Sequence, residues 1–216
     1  MDFGPTGLLT EAYDSQVCRW PLSGRVILAQ FHPDFVVVYQ AYSLAIGRFA
    51  ATHGYFGGDF KLDRMTWIKP NFLWMMYRSG WGTKVGQEVT LAIRLRRSAF
   101  DELLVSAVHS SFDRDIYATE DEWKRQVAQS DVRLQWDPDH DPHGIPVKRR
   151  AIQVGLRGDA IAKFAREWII GIEDISQFVA EQRERLFDPE RGVLMTPRES
   201  PYPVGDRALA TRLGLA

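Results

Sequence analysis

FVVVYQAYSLAIGRFAATHG, residues Phe35 to Gly54, changes its period halfway along. The first nine residues are mostly β-branched or aromatic and carry no formal charge, the composition of a central strand. From Leu44 the spacing lengthens. Ile46, Phe49, Ala50 and His53 fall at i, i+3, i+4 and i+7, one face of a helix, and Gly54 supplies the stop. A strand of this kind running straight into a helix calls for a sheet with helices packed on it.

The flanking segments fit that plan. RVILAQF, Arg25 to Phe31, reads as a short buried strand before a His32-Pro33-Asp34 turn. EVTLAIRL, Glu88 to Leu95, turns Val89, Leu91, Ile93 and Leu95 inward and Glu88, Thr90, Ala92 and Arg94 outward, as in a half-buried strand. VRLQW (Val132 to Trp136) and RRAIQVGLRG (Arg149 to Gly158) are further strands. SAFDELLVSAVHSS, Ser98 to Ser111, resembles a capped helix, whereas DEWKRQVAQS is too polar to place. In Asp159 to Leu186, one helical stripe comprises Ile161, Phe164, Ala165 and Trp168. A second comprises Ile175, Phe178, Val179 and Gln182, with Asp159 and Asp174 as N-caps. Strict βαβ alternation is missing, so the expectation is α+β: a central mixed or antiparallel sheet flanked by helices. Residues 20–195 form the expected domain, after a leader over 1–19. Residues 196–216 form an arm that TPRESPYPV keeps extended.

Composition narrows the function. The chain has 216 residues, 45% of them hydrophobic, and a net charge of −1, so a nucleic-acid surface would have to be a local patch. Cys18 is the single cysteine, which excludes a disulfide framework and a cysteine-based zinc site. No apolar run reaches the roughly 18 residues that span a bilayer, and MDFGPTGLLTEAYDSQ has no signal-peptide pattern. The expectation is a cytoplasmic protein with no membrane partner.

TWIKPNFLWMMYRSGWGTK, Thr66 to Lys84, holds three tryptophans and three cations in one short segment. Pro70 suits a first helical turn and Gly80 and Gly82 end the helix. Two readings compete. In one, Trp67, Trp74 and Trp81 sandwich a base, Arg78 stacks on Trp74, and Lys69, Arg78 and Lys84 converge on phosphate. In the other, the segment is an amphipathic core helix whose cations snorkel to water.

Other signals are weaker. WDPDHDPHG offers Asp137, Asp139, His140, Asp141 and His143, but it lacks the glycine and terminal glutamate of a calcium loop, so it reads as a turn and no metal is expected. His32 and His53 have no nucleophile to pair with. The phosphate-loop, dinucleotide and nucleophile-elbow motifs are missing. RLRRSAF and VKRRA are short basic runs suited to RNA contact or to a solvated strand end.

RMTWIKPNFLWMMYRSGWGTK, with VVVYQAYS, RRAIQVGL and TPRESPYPV, closely resembles the family designated domain of unknown function 4291. That resemblance covers roughly residues 20 to 204. The order VVVYQAYS, LAIGRFAATHG, Tyr55-Phe56 is in addition similar to the opening of ADP-ribosyltransferase-like folds. Gln40 stands where their histidine or arginine falls, and Gln153 lies in a late strand that commonly carries their acid. This second resemblance implies an ADP-ribosyltransferase-type enzyme that takes NAD or another nucleotide, with a protein or nucleic acid as acceptor. Tyr39, Gln40 and Gln153 would carry the chemistry. Tyr42, Trp67, Lys69, Trp74, Arg78 and Lys84 would hold the ligand. The alternative is a non-catalytic RNA- or DNA-binding module that uses the same Trp/Arg/Lys-rich segment.

Overall fold

The computed structural model describes residues 8–215. The Phe35–Tyr42 strand runs straight into the Leu44–His53 helix, which closes on left-handed Gly54. The strand pairs antiparallel with Val89–Arg96, which in turn pairs antiparallel with Ile169–Asp174. A second sheet is built on the hairpin of Val132–His140 and Pro146–Leu156. Val108–His109 lies parallel to one edge of that hairpin. Thr66–Ile68 and Gly24–Arg25 pair with its other edge, with Pro146–Leu156. A single antiparallel bridge between Tyr39 and Lys69 joins the two sheets. The architecture is therefore α+β, a curled mixed sheet with helices against it.

The run FVVVY is uncharged because both of its faces are covered. Val36 and Val38 enter one core with Leu91, Ile93, Leu134, Ile152 and Phe164. Phe35, Val37 and Tyr39 enter another with Phe72, Met76, Trp81, Ile175 and Val179. The same double cover corrects the half-buried reading of EVTLAIRL: Thr90 and Ala92 are buried too, because the Ser176–Phe187 helix and the second core lie on that face.

Further expectations shift. RVILAQF is two short pieces, Gly24–Arg25 and Leu28–Ala29, which pair with different partners. WDPDH continues a strand as far as His140, so the turn is confined to the segment from Asp141 to Gly144. DEWKRQVAQS lies within a helix, Glu120–Gln129, that Thr119 caps. Between the two helical stripes, IIGIED forms the strand Ile169–Asp174. At Gly171 the Arg94 guanidinium lies against the backbone, where a Cβ would meet it at 2.7 Å. The helix at Gly158 receives its carboxylate from Asp131, which accepts the Asp159 N–H at 2.9 Å; Asp159 itself does not cap it.

Of the leader, residues 1–7 lie outside the described residues, while Leu8 and Gln16 are buried. The C-terminal segment crosses the body: Met195–Pro197 pairs with Thr10–Ala12, and Ser200–Pro201 with Leu28–Ala29. It then ends in a helix, Arg207–Leu213. Between the two pairings Glu199 is buried and accepts the Phe72 N–H at 2.6 Å, fixing the start of the Phe72–Ser79 helix. Among the described residues no helix is long and apolar enough to cross a membrane.

Candidate functional site

Leu134, Trp136, Ile152, Val154 and Ile68 face the larger core. Side chains alternate across a strand, so their neighbours Gln135, Asp137, Gln153, Gly155, Trp67 and Lys69 share the opposite face of the second sheet. There Asp137 is held at both oxygens. Gln135 Nε2 donates to Oδ1 at 2.8 Å and Gln153 Nε2 donates to Oδ2 at 2.6 Å. Two neutral donors fix the carboxylate without neutralising it.

Lys69 is buried, yet among the described residues it forms no ion pair, and its Nζ donates only to the Trp67 carbonyl at 3.3 Å. Burial, then the positive charge of Arg78, push its pKa down to about 8, against an opposing pull from Asp137. Arg78 is exposed on the last turn of the Phe72–Ser79 helix. Two cations thus act on each other here, and the Asp137 carboxylate offsets the charge of Lys69 only in part. Such an arrangement leaves positive charge for an anion to occupy.

Trp67 is half-buried, and the outer edge of its indole lies over Gly155. A Cβ at Gly155 would meet Trp67 Cη2 and Cζ2 at 3.0 Å and Met65 Sδ at 2.9 Å, so the small residue is what seats the ring. Gln40 and Tyr42 support the same segment from the other side. Gln40 Nε2 donates to Thr66 Oγ1 at 2.7 Å and to the Trp67 carbonyl at 3.2 Å, and Tyr42 Oη lies 2.7 Å from Thr66 Oγ1.

Strand alternation therefore puts Trp67, Lys69 and Gln153 on one face of the sheet, with Gln40 and Tyr42 behind it, and the charge of Arg78 acts on Lys69 from the neighbouring helix. The other expected residues sit elsewhere. Tyr39 is fully buried with its ring edge on Phe72. Trp74 is only 4% exposed and stacks against Tyr77 and His140, where Arg78 was expected as its partner. Lys84 Nζ donates to the Arg78 carbonyl at 2.6 Å, capping the helix's C-terminal end. Trp81 donates from Nε1 to the Pro142 carbonyl. For these residues the core-helix reading of the segment describes the packing.

The basic runs are largely engaged within the protein. Arg149 is buried against Asp139 at 2.8 Å and lies over the Trp20 ring. Arg97 lies over the rings of Phe31 and Tyr202. The turn reading of WDPDHDPHG hides Asp137, and Gln135 carries no signal of its own in the strand VRLQW. The pattern that joins them is nevertheless legible: Gln135, Asp137 and Asp139 alternate with Leu134 and Trp136 at period two.

Among families of known proteins, the model described as Domain of unknown function (DUF4291) matches residues 26–202. No curated protein matches the chain.

Proposed function

We propose, for a chain that belongs to the DUF4291 family, that the face around Trp67 binds a nucleotide, with NAD as the substrate and ADP-ribosyl transfer as the reaction. The observation that carries this reading is Lys69, a buried ammonium that feels the charge of Arg78 and, among the described residues, has no acidic side chain in contact. Keeping such a charge in the fold is costly unless an anion joins it. In this reading Lys69 and Arg78 take the pyrophosphate and the Trp67 indole stacks on a ring of the ligand.

Asp137, not Gln153, carries the carboxylate. Its fixed oxygens accept from ribose hydroxyls and stabilise the positive charge that develops at C1′. The bond from C1′ to the nicotinamide nitrogen breaks, and its electron pair leaves with nicotinamide. A nucleophilic oxygen or nitrogen of the acceptor forms the new bond to C1′ and releases its proton. Gln135 and Gln153 act as positioning residues. The nucleic-acid reading draws less support, because Arg149 and Arg97 already have internal partners.

A melting-shift titration with NAD, ADP-ribose, AMP and nicotinamide tests the binding claim. ADP-ribose and NAD should raise Tm in the wild type and fail to do so in Lys69→Met, while nicotinamide alone should not shift it. Nicotinamide release that is lost in Asp137→Asn with binding retained would support the transfer step. No shift with any nucleotide at millimolar concentration would remove the reading.

A further inference from the structure

A polar hollow lies against the same sheet, a cavity of about 270 Å³ whose walls include Arg25, Arg114, Arg150, Ser110, Ser111 and Asp113. Arg25 and Arg150 are register partners on neighbouring parallel strands, so their side chains project to one side. Like charges placed opposite each other in a sheet repel. Among the described residues Asp113 is the only carboxylate in the wall, and it is paired with Arg25 at 2.9 Å. Arg150 donates to the Trp136 carbonyl at 2.9 Å, a contact that orients the guanidinium without cancelling its charge. Arg114 is exposed at the rim and forms no ion pair among the described residues. Three guanidiniums against one carboxylate leave the hollow with a net charge of about +2 by formal count.

The rest of the wall is suited to an oxyanion. Ser110 and Ser111 are exposed and offer hydroxyl donors, and arginine forks match the oxygen spacing of phosphate. Polar atoms dominate the lining, which argues against an apolar occupant. Gln135 also lines the hollow, and its amide oxygen lies 3.5 Å from Ser110 Oγ while its nitrogen holds Asp137. One side chain therefore stands between this cavity and the carboxylate of the Trp67 face.

We infer that the Arg25–Arg114–Arg150 cavity is a separate phosphate-binding site that takes a phosphate ester through its guanidiniums and the Ser110–Ser111 hydroxyls. The site depends on none of Lys69, Arg78 or Trp67. A free sugar phosphate and the 5′-phosphate of a nucleic-acid end present the same chemistry to it.

Isothermal titration with ribose 5-phosphate, and with a single-stranded RNA tetranucleotide carrying or lacking a 5′-phosphate, distinguishes these sources. The wild type, Arg114→Gln, Arg150→Gln and Lys69→Met chains are compared, each first checked for an unchanged melting profile. The phosphorylated probes should bind saturably, weaken at least tenfold in Arg114→Gln and in Arg150→Gln, and keep their affinity in Lys69→Met. RNA that binds tenfold or more tighter than ribose 5-phosphate, and only when phosphorylated, identifies a nucleic-acid end as the source. Equal affinities identify the free ester. If Arg150→Gln melts early, the exposed Arg114→Gln alone decides. Phosphate-independent binding, unchanged binding in Arg114→Gln, binding lost only in Lys69→Met, or no binding of any probe would each overturn the site.

Discussion

Tyr39 and Lys69 exchange backbone hydrogen bonds, 2.7 Å in one direction and 3.2 Å in the other. This bridge joins the two sheets. Paired residues project to the same face, so it also fixes which way the lysine points. One turn later in the chain, Asn71 and Glu199 hold the first N–H groups of the Phe72–Ser79 helix, and Arg78 at its far end comes within electrostatic range of Lys69. The cationic site is thus a consequence of how the sheets are joined.

Replacing Lys69 with methionine should stabilise the fold while it removes anion binding. In the folded protein Lys69 titrates near 8, against an ordinary value of 10.5. Below pH 8 both states hold the proton, and the buried charge costs the fold about 3 kcal/mol. Between these two values the unfolded chain holds more protons, so this cost falls away as pH rises. Urea unfolding should therefore show Lys69→Met more stable than wild type by about 1–3 kcal/mol at pH 7, with the gap narrowing towards pH 10.

Occupation of the site by an anion should return Lys69 to its protonated form. At pH 8 the free protein holds about half a proton there, so binding should take up about half a proton more. Calorimetry of ADP-ribose binding in buffers of different ionisation enthalpy reads this directly. An uptake of zero would place the ligand away from Lys69.

Gly155→Ala should disturb the ligand face with little effect on the core. The new methyl would meet the Trp67 ring at 3.0 Å and push it off its seat. We expect a changed tryptophan emission and about a tenfold loss of nucleotide affinity, roughly 1.4 kcal/mol. Unfolding free energy should fall by less than about 2 kcal/mol, because the side chains at the contact can yield.

The buried Asp139–Arg149 pair should behave as a unit. Arg149→Met leaves Asp139 buried without its partner and should cost about 3–5 kcal/mol. Adding Asp139→Leu should recover much of that loss, since no uncompensated charge then remains. A double-mutant cycle by chemical denaturation measures the coupling; simple additivity would show that the pair carries no special energy.

Glu199→Ala should unfasten the start of the Phe72–Ser79 helix. Its carboxylate accepts the Phe72 N–H at 2.6 Å and the Asn71 amide at 3.3 Å, and neither donor can reach bulk water. The expected loss is about 1–3 kcal/mol, smaller in Glu199→Gln, which keeps one acceptor oxygen. Burial raises the Glu199 pKa well above the usual carboxylate range, so its contribution weakens as pH rises from the unfolded value of 4.5. The wild-type advantage over Glu199→Gln should accordingly be larger at pH 5 than at pH 8.

The sequence by itself determined the elements with a strong local signature. Phe35–Tyr42 was legible as a central strand because its residues are mostly β-branched or aromatic and uncharged, and Leu44–His53 as a helix because period and glycine stop agree. Tertiary structure decided the rest. Ile169–Asp174 and the extension of Val132 to His140 depend on partner strands distant in sequence, and a one-sided reading of EVTLAIRL could not know that a second core covers it. The candidate site followed the same division. Trp67, Lys69 and Arg78 were conspicuous as types, but Trp74 has the same composition around it and lies in the interior. Whether an indole or an ammonium faces a ligand depends on which strand lies beneath it, and that contact is made by residues more than sixty positions away.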